Sequence, residues 1–507
     1  MRALWPDSAT APFKCRAKQI GLPVKKSTGA AIAAPQQRLQ VAYRLRGRGE
    51  VARGRLRLLL WLPVLCWHPA AAADCVIRMS AREAVPATAL LDSMGVNTHF
   101  GFADSPYARR YPEVRAKLVA LGLRHVRDVM NSHVSDLARL GITTTVLAEP
   151  NVDTPGGFRD RIKTLNAGQI AVDAVEGANE PDMFWRRLHI SWQGEGYPEG
   201  PVLWQRDLFH ALKSDPATAG LTVIGPSLGL AGLPSATPPA AWKGLWRFVD
   251  WGNFHPYPYN GNPYGPELQY GTLPSFFHNG TFPSVGLDEA PDFYRAYRGI
   301  YGSGPMAATE TGYPTGAGFT SEALQAKYVV RLFLENFRLG IKRTYLYQLL
   351  DNIQGLGRHD PDTSFGLLRY DLSERPAYLA VGALNRMLRH SPSAEHVVPG
   401  DVRLTLIVSG FGDFPDPTRV HHLLLRRSNG TLLLLLWHET SGEDLSSHPR
   451  RQVQVSALPA NLVVSRPLHI VADDLSKKGP TVGSATTIIR MLRFRVSDAL
   501  AVVSLYL

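Results

Sequence analysis

"VEGANEPD" (residues 175–182) is a run of small and apolar residues that ends on an amide, a carboxyl group and a proline. Its first half suits a buried strand, and Pro181 stops that strand, because proline has no N–H to give a ladder. Buried strands ordinarily omit polar side chains, yet this one delivers Asn179 and Glu180 at its tip. Strand tips are where parallel α/β folds keep their chemistry. How many such strands the chain holds therefore decides the fold.

Working outward, short β-rich runs recur at 93–100, 123–129, 142–150, 171–181, 221–227, 250–258, 305–313 and 342–351. Amphipathic stretches lie between them, such as 111–122 and 321–340. In the latter, Ala323, Ala326, Val330, Phe333, Leu334 and Phe337 fall on one face at helical spacing. Gly122, Gly141 and Gly340 stand where helices should stop. Eight β-runs, each separated from the next by room for a helix, predict a (β/α)8 TIM barrel over 90–390. The rival, a doubly wound open sheet, would carry a Gly-rich phosphate turn after its first strand, and "VNTHFGFADSP" (96–106) has none.

Beyond residue 391 the pattern becomes all-β. "VHHLLLRRSNGTLLLLLWHE" (420–439) is two apolar strands around an Asn429-Gly430 turn, a strong hairpin signal. Further strand-like runs follow at 451–458, 468–473 and 493–507. They predict a C-terminal β-sandwich domain over 395–507.

The net charge of +12 suggests a nucleic-acid partner until it is located. Residues 1–57 hold 13 Lys and Arg against Asp7 and Glu50, so almost all of it precedes the barrel. The remainder is nearly neutral, which argues against nucleic-acid binding. The basic stretch runs into "LLLWLPVLCW" (58–67) and then "HPAAAADC" (68–75), the three parts of a secretory signal peptide. Residues 1–73 therefore read as a basic leader cleaved near Ala73. The mature chain would be secreted or periplasmic, with no stable membrane insertion. Cys75 alone of the three cysteines would survive cleavage, so one mature chain has neither a disulfide framework nor a Cys-based metal site.

The predicted strand tips carry a constellation. They offer Asn97 and His99, Arg127 and Asp128, Asn179 and Glu180, His255 and Tyr257, Glu310, and finally Tyr347, Gln348 and Asp351. Two glutamates facing one mouth suit glycosidic bond cleavage, in which one carboxyl is protonated and the other ionised. Mutual repulsion raises one pKa while a cation such as Arg127 holds the other down. Trp185 and Trp192, after the fourth strand, are candidate sugar platforms or local core. No metal is expected, because "NTHF" (97–100) lacks the two histidines one residue apart that metal-dependent barrels put on their first strand.

Four motifs sharpen this. "GANEPD" (177–182) resembles the Asn-Glu-Pro strand end of clan A retaining glycoside hydrolases, and "ATETGYP" (308–314) resembles their nucleophile strand. "HPYP" (255–258) is similar to the His-x-Tyr of their sixth strand, and "FGLLRYDLSERPAYLAV" (365–381) to the lead into their last barrel helix. The likeness leans towards the β-xylosidase/α-iduronidase and bacterial exopolysaccharide hydrolase families. It implies a carbohydrate substrate, no cofactor, Glu180 as acid/base and Glu310 as nucleophile. It further implies that Asn179 binds the sugar 2-hydroxyl, that Tyr257 and Arg127 orient Glu310, and that His255 lines the site. Asn97, His99, Tyr347 and Gln348 complete the expected substrate contacts, with Tyr347 or Gln348 where many clan members have a tryptophan. The alternative is a carbohydrate-binding protein that keeps the barrel without turnover.

Overall fold

The computed structural model describes residues 75–229, 239–258, 297, 299–316, 319–353, 363–389 and 420–439. It also describes the strands at 271–272, 281–282, 403–409, 453–459, 463–464, 468–470, 492–496 and 500–506. The leader at 1–73 and the boundary at 391–401 lie outside the described residues.

Eight parallel strands form the central sheet: β1 (Met94–Asn97), β2 (His125–Val129), β3 (Thr143–Leu147), β4 (Val172–Glu176), β5 (Thr222–Ile224), β6 (Gly252–Phe254), β7 (Met306–Thr311) and β8 (Thr344–Leu346). Their order is β5-β4-β3-β2-β1-β8-β7-β6. A parallel bridge between Ile224 and Trp251 joins the two outer members and closes the ring. Each predicted β-run contains one of these strands. The strands are short and buried on both faces, as expected where helices cover a parallel sheet.

The principal helices around the ring are α1 (Tyr111–Leu121), α2 (Val134–Arg139), α3 (Pro155–Leu165), α4 (Glu199–Lys213), α5 (Glu322–Arg338) and α6 (Pro376–Arg389). Their ends follow local chemistry. The Thr154 hydroxyl accepts the Gly157 N–H at the start of α3, and the Ser321 hydroxyl accepts the Leu324 N–H at the start of α5. Gly122, Gly141 and Gly340 all adopt positive φ (81°, 75° and 81°), which an ordinary L-residue resists.

In α5 the predicted apolar face is buried except at Ala323, which is exposed in the first turn. Burial continues around most of the helix and takes in Arg331, Glu335 and Asn336. The reason is a second covering layer. Leu425, Leu433, Leu435 and Trp437 of the hairpin Val420–Arg426/Leu432–His438 share one apolar core with Phe333, Leu334 and Phe337. The hairpin turns at Asn429-Gly430 as predicted, with Gly430 at φ 84°.

The predicted sandwich needs correction. A four-stranded sheet joins Arg403–Ser409 to Val453–Pro459 and Leu492–Val496, but its edge strand is Cys75–Ser80, from ahead of the barrel. The second sheet contains the hairpin and Leu500–Tyr506, and it too takes a strand, Val85–Pro86, from the N-terminal side. The β-region is therefore not a separate unit confined to 395–507. Its hairpin is cored against the barrel's helices, and two of its strands precede β1. Local strand signals cannot announce a partner more than three hundred residues away. No helix among the described residues is long and apolar enough to cross a membrane.

Candidate active site

The site is assembled around Arg127 on β2. Successive strand side chains point to opposite faces, so Arg127 and Asp128 part company. Arg127 enters the ring and donates to both oxygens of Glu176 (2.5 and 2.8 Å). It also donates to Glu310 Oε1 at 2.6 Å, to Asn97 Oδ1 at 2.8 Å and to Asn179 Oδ1 at 2.7 Å. One fully used guanidinium thus ties the tips of β1, β2, β4 and β7 together. Asp128 faces away and accepts from Thr98 Oγ1 and the Phe100 N–H, both at 2.8 Å. An ordinary Arg127–Asp128 pair is not formed.

Glu310 is held at both oxygens, by Arg127 on Oε1 and by the Tyr257 hydroxyl on Oε2 at 2.8 Å. Glu180 receives neither. Its Oε1 lies 2.7 Å from His255 Nδ1, while His255 Nε2 lies 3.0 Å from Thr309 Oγ1. The Thr309 hydroxyl has one proton and faces two acceptors, Asn253 Oδ1 at 2.8 Å and Glu176 Oε1 at 3.0 Å. Its lone pair is left for His255, so Nε2 carries hydrogen and Nδ1 shares a proton with Glu180. Oxygens of Glu180 and Glu310 and a nitrogen of His255 all lie within 4.8 Å of one another. Such a trio has ligands of the kind a divalent cation takes, although Glu310 is held by Arg127 and Tyr257 and His255 is bonded to Glu180.

Electrostatics separates the two carboxyls. Desolvation and the charge of Glu310 push Glu180 above its usual 4.5, against the pull of His255. Glu310 is buried too, but His255, Arg127 and the Tyr257 hydroxyl outweigh that cost and hold it below 4.5. Burial opposes a charge on His255, yet Glu310 and Glu180 together raise it.

Glu180 has φ 43°, a left-handed conformation that costs an ordinary residue about 1–3 kcal/mol. Its neighbours hold it there. Its carbonyl accepts the Met183 and Phe184 N–H groups, and Asn179 bridges to Ser227. The Asn179 N–H also donates to Glu149 Oε1, whose Oε2 takes the Trp185 Nε1–H at 3.1 Å.

The remaining predicted residues divide. Tyr347 stands among His99, Tyr257 and Phe365, with ring centroids 5.5–6.4 Å apart. Desolvation drops the His99 pKa to about 4, so its ring is neutral in ordinary buffers. Gln348 is fully buried between Tyr107 and Asn352. Asp351 pairs with Arg375 at 2.8 Å and accepts the Gly366 N–H. Trp185 is core, and Trp192 packs edge-on to Trp204 while donating to Asp207, so neither is an open platform.

Sequence reasoning missed Glu176, Asn253, Thr309 and Glu149. Glu149 had a signal: "AEP" (148–150) ends its strand on Glu-Pro just as "NEP" (179–181) does. Glu176 looked like part of a buried strand; its pairing with Arg127, with Asn253 and Thr309 as further donors, explains a carboxylate with no exposure.

Among solved structures, the (β/α)8-barrel fold of this chain is similar to those of several glycoside hydrolases. A family 39 glycoside hydrolase from Bacteroides cellulosilyticus matches with a TM-score of 0.50 and 15% identity, over 83% of this chain and 81% of that one. A glucosidase from Croceicoccus marinus matches with a TM-score of 0.49 and 11% identity, over 77% of this chain and 91% of that one. No protein-family model and no curated protein matches the chain.

Proposed function

We propose that the chain is a retaining glycoside hydrolase of clan A type, acting on an oligo- or polysaccharide with Glu180 as acid/base and Glu310 as nucleophile. The observation that carries this reading is the carboxylate pair. One oxygen of each lies within 4.8 Å of the other, with one carboxyl pushed up and the other held down. Retaining enzymes work with carboxyls about 5–5.5 Å apart, whereas inverting ones need room for an intervening water.

In this reading, protonated Glu180 gives its proton to the glycosidic oxygen as that bond breaks. Glu310 attacks the anomeric carbon from the opposite face and forms a glycosyl ester. Arg127 and Tyr257 keep the attacking carboxylate ionised and aimed. After the leaving sugar departs, Glu180 takes a proton from water, and the water's oxygen displaces Glu310. Asn179, fixed by Arg127 through its oxygen, presents its amide N–H to a sugar hydroxyl. His255 orients Glu180 through the hydrogen bond they share. Asn97 braces Arg127 and the Thr309 carbonyl, and His99 and Tyr347 border the sugar. The basic and apolar segments within 1–73 support export to the periplasm or the medium, with 90–390 as the catalytic unit.

The test is a pair of variants assayed on activated aryl glycosides. Glu310→Gln abolishes turnover without loss of fold. Glu180→Ala slows substrates with poor leaving groups most, and azide restores part of its rate while giving a glycosyl azide of retained configuration. Near wild-type activity in both variants overturns the reading, and loss of activity on chelation redirects it to metal chemistry.

A further inference from the structure

Two aromatic side chains among the described residues are exposed, Trp246 and Phe102. Trp246 lies in the segment leading into β6, at the end of the barrel away from the carboxylates. Phe102 follows β1, on the catalytic side, and is 50% exposed. One face of its ring stacks on His99, with centroids 5.0 Å apart and planes 11° from parallel. From His99 a continuous row of rings leads inward: Tyr347 at 5.6 Å, then Tyr257 at 6.4 Å, whose hydroxyl bonds Glu310.

The loop that holds Phe102 is pinned. The Phe102 N–H donates to the His99 carbonyl at 3.1 Å, and the Phe102 carbonyl accepts from both the N–H and the hydroxyl of Ser105 (3.0 and 2.7 Å). Asp128 clamps the loop's start through Thr98 and Phe100. At Gly101 a Cβ would lie 2.2 Å from the Val129 side chain, so the backbone there is pressed against β2. Phe102 is therefore held outward by a stapled loop, although burying the ring would be favourable. A rigid, half-covered aromatic face at the rim of a polar cleft is a preorganised apolar surface. A pyranose matches it, with a C–H face to lay on the ring and hydroxyls at its edge for water.

We propose that Phe102 is the platform of a second sugar subsite, one unit away from the bond that is cleaved, and that it makes the enzyme selective for oligosaccharides over single glycosides. This rests on the glycosidase reading above and deepens it. Phe102 is specificity-determining: it touches a sugar remote from the reacting atoms, and that binding energy is used in the transition state.

The experiment compares two substrate types for wild type, Phe102→Ala and Phe102→Trp. One is a tri- or tetrasaccharide from gluco-, xylo- and galacto-configured series. The other is the glycosyl fluoride of the same sugar, which has no second ring to reach Phe102. Phe102→Ala should lower kcat/KM on the oligosaccharide by about 10- to 100-fold, the loss expected for one apolar ring face. It should leave the fluoride within about twofold, and Phe102→Trp should restore oligosaccharide activity. Equal loss on both substrates, or no loss on either, overturns the platform while leaving the glycosidase reading intact. A wild type that turns over neither substrate type removes the glycosidase reading, and this inference with it.

Discussion

At the scale of single residues, the site depends on an asymmetry between two like groups. Glu310 has a partner on each oxygen, and among the described residues Glu180 has an imidazole that shares its proton. For the mechanism proposed above, the pH dependence follows with its sign. Glu310 must be ionised, and its pKa is depressed, so kcat/KM rises as pH climbs through a value below 4.5. Glu180 must be protonated, and its pKa is raised, so kcat/KM falls as pH passes a value above 4.5. The profile on an oligosaccharide is thus a bell. In Glu180→Ala, assayed on a substrate with a good leaving group, the alkaline limb should vanish; a limb that stays in place would assign it to another group. The sequence showed both glutamates because each ends a strand beside a proline or a Gly-Tyr-Pro turn. It did not show His255 as their common neighbour, since a histidine's partners lie across the ring rather than along the chain.

At the scale of elements, the tip of β4 is shaped by the tip of β3. Glu149 reaches across to accept the Asn179 N–H and the Trp185 indole N–H, bracketing the turn that holds Glu180 at positive φ. Desolvation pushes its carboxyl up to about 7, yet both oxygens stay engaged by donors. Glu149→Gln replaces one acceptor oxygen by an amide NH2, a donor that faces another N–H. The turn should then relax, and kcat should fall about tenfold or more with little change in KM, because small misplacements of reacting groups are costly. An unchanged kcat in steady-state assays would show that the turn keeps its shape without this brace. Trp185 and Trp192 teach the complementary lesson. Tryptophans after a strand that carries site residues look alike in sequence whether they face a ligand or the core, and only the packing of α4 decides, through Trp204 beneath Trp192.

At the scale of the whole molecule, barrel and hairpin are joined by a buried polar cluster. Glu335 on α5 accepts the Trp437 indole N–H at 2.7 Å, meets His421 at 2.5 Å and pairs with Arg338 at 2.8 Å. Glu439 accepts the same indole N–H at 2.6 Å and lies 3.5 Å from Arg331. Burial opposes the charge on Glu335, but His421 and Arg338 hold its pKa to about 2. A depressed carboxylate stabilises the fold above its ordinary pKa of 4.5 and loses that contribution as pH falls towards 2. Glu335→Gln should therefore cost roughly 3–5 kcal/mol at neutral pH, as breaking a buried pair does. Thermal melts should show the gap to wild type narrowing as pH drops from 4.5 to 2; a constant gap would exclude the charge as its source. The barrel was legible because eight strand–helix alternations are local patterns. The association of the β-region with the barrel was not, since it depends on strands from both sides of the barrel and on polar residues within an apolar helix face.

Cys75–Ser80 is the border strand of its sheet and shields the ladder groups of Arg403–Ser409. During synthesis it leaves the ribosome long before the stretch it must protect, and stays without its mate until the entire barrel has emerged. A chain begun after Ser80 would keep all eight barrel strands but present a bare, hydrogen-bond-hungry margin at 403–409. Self-association would then betray the missing segment before any change in catalysis did.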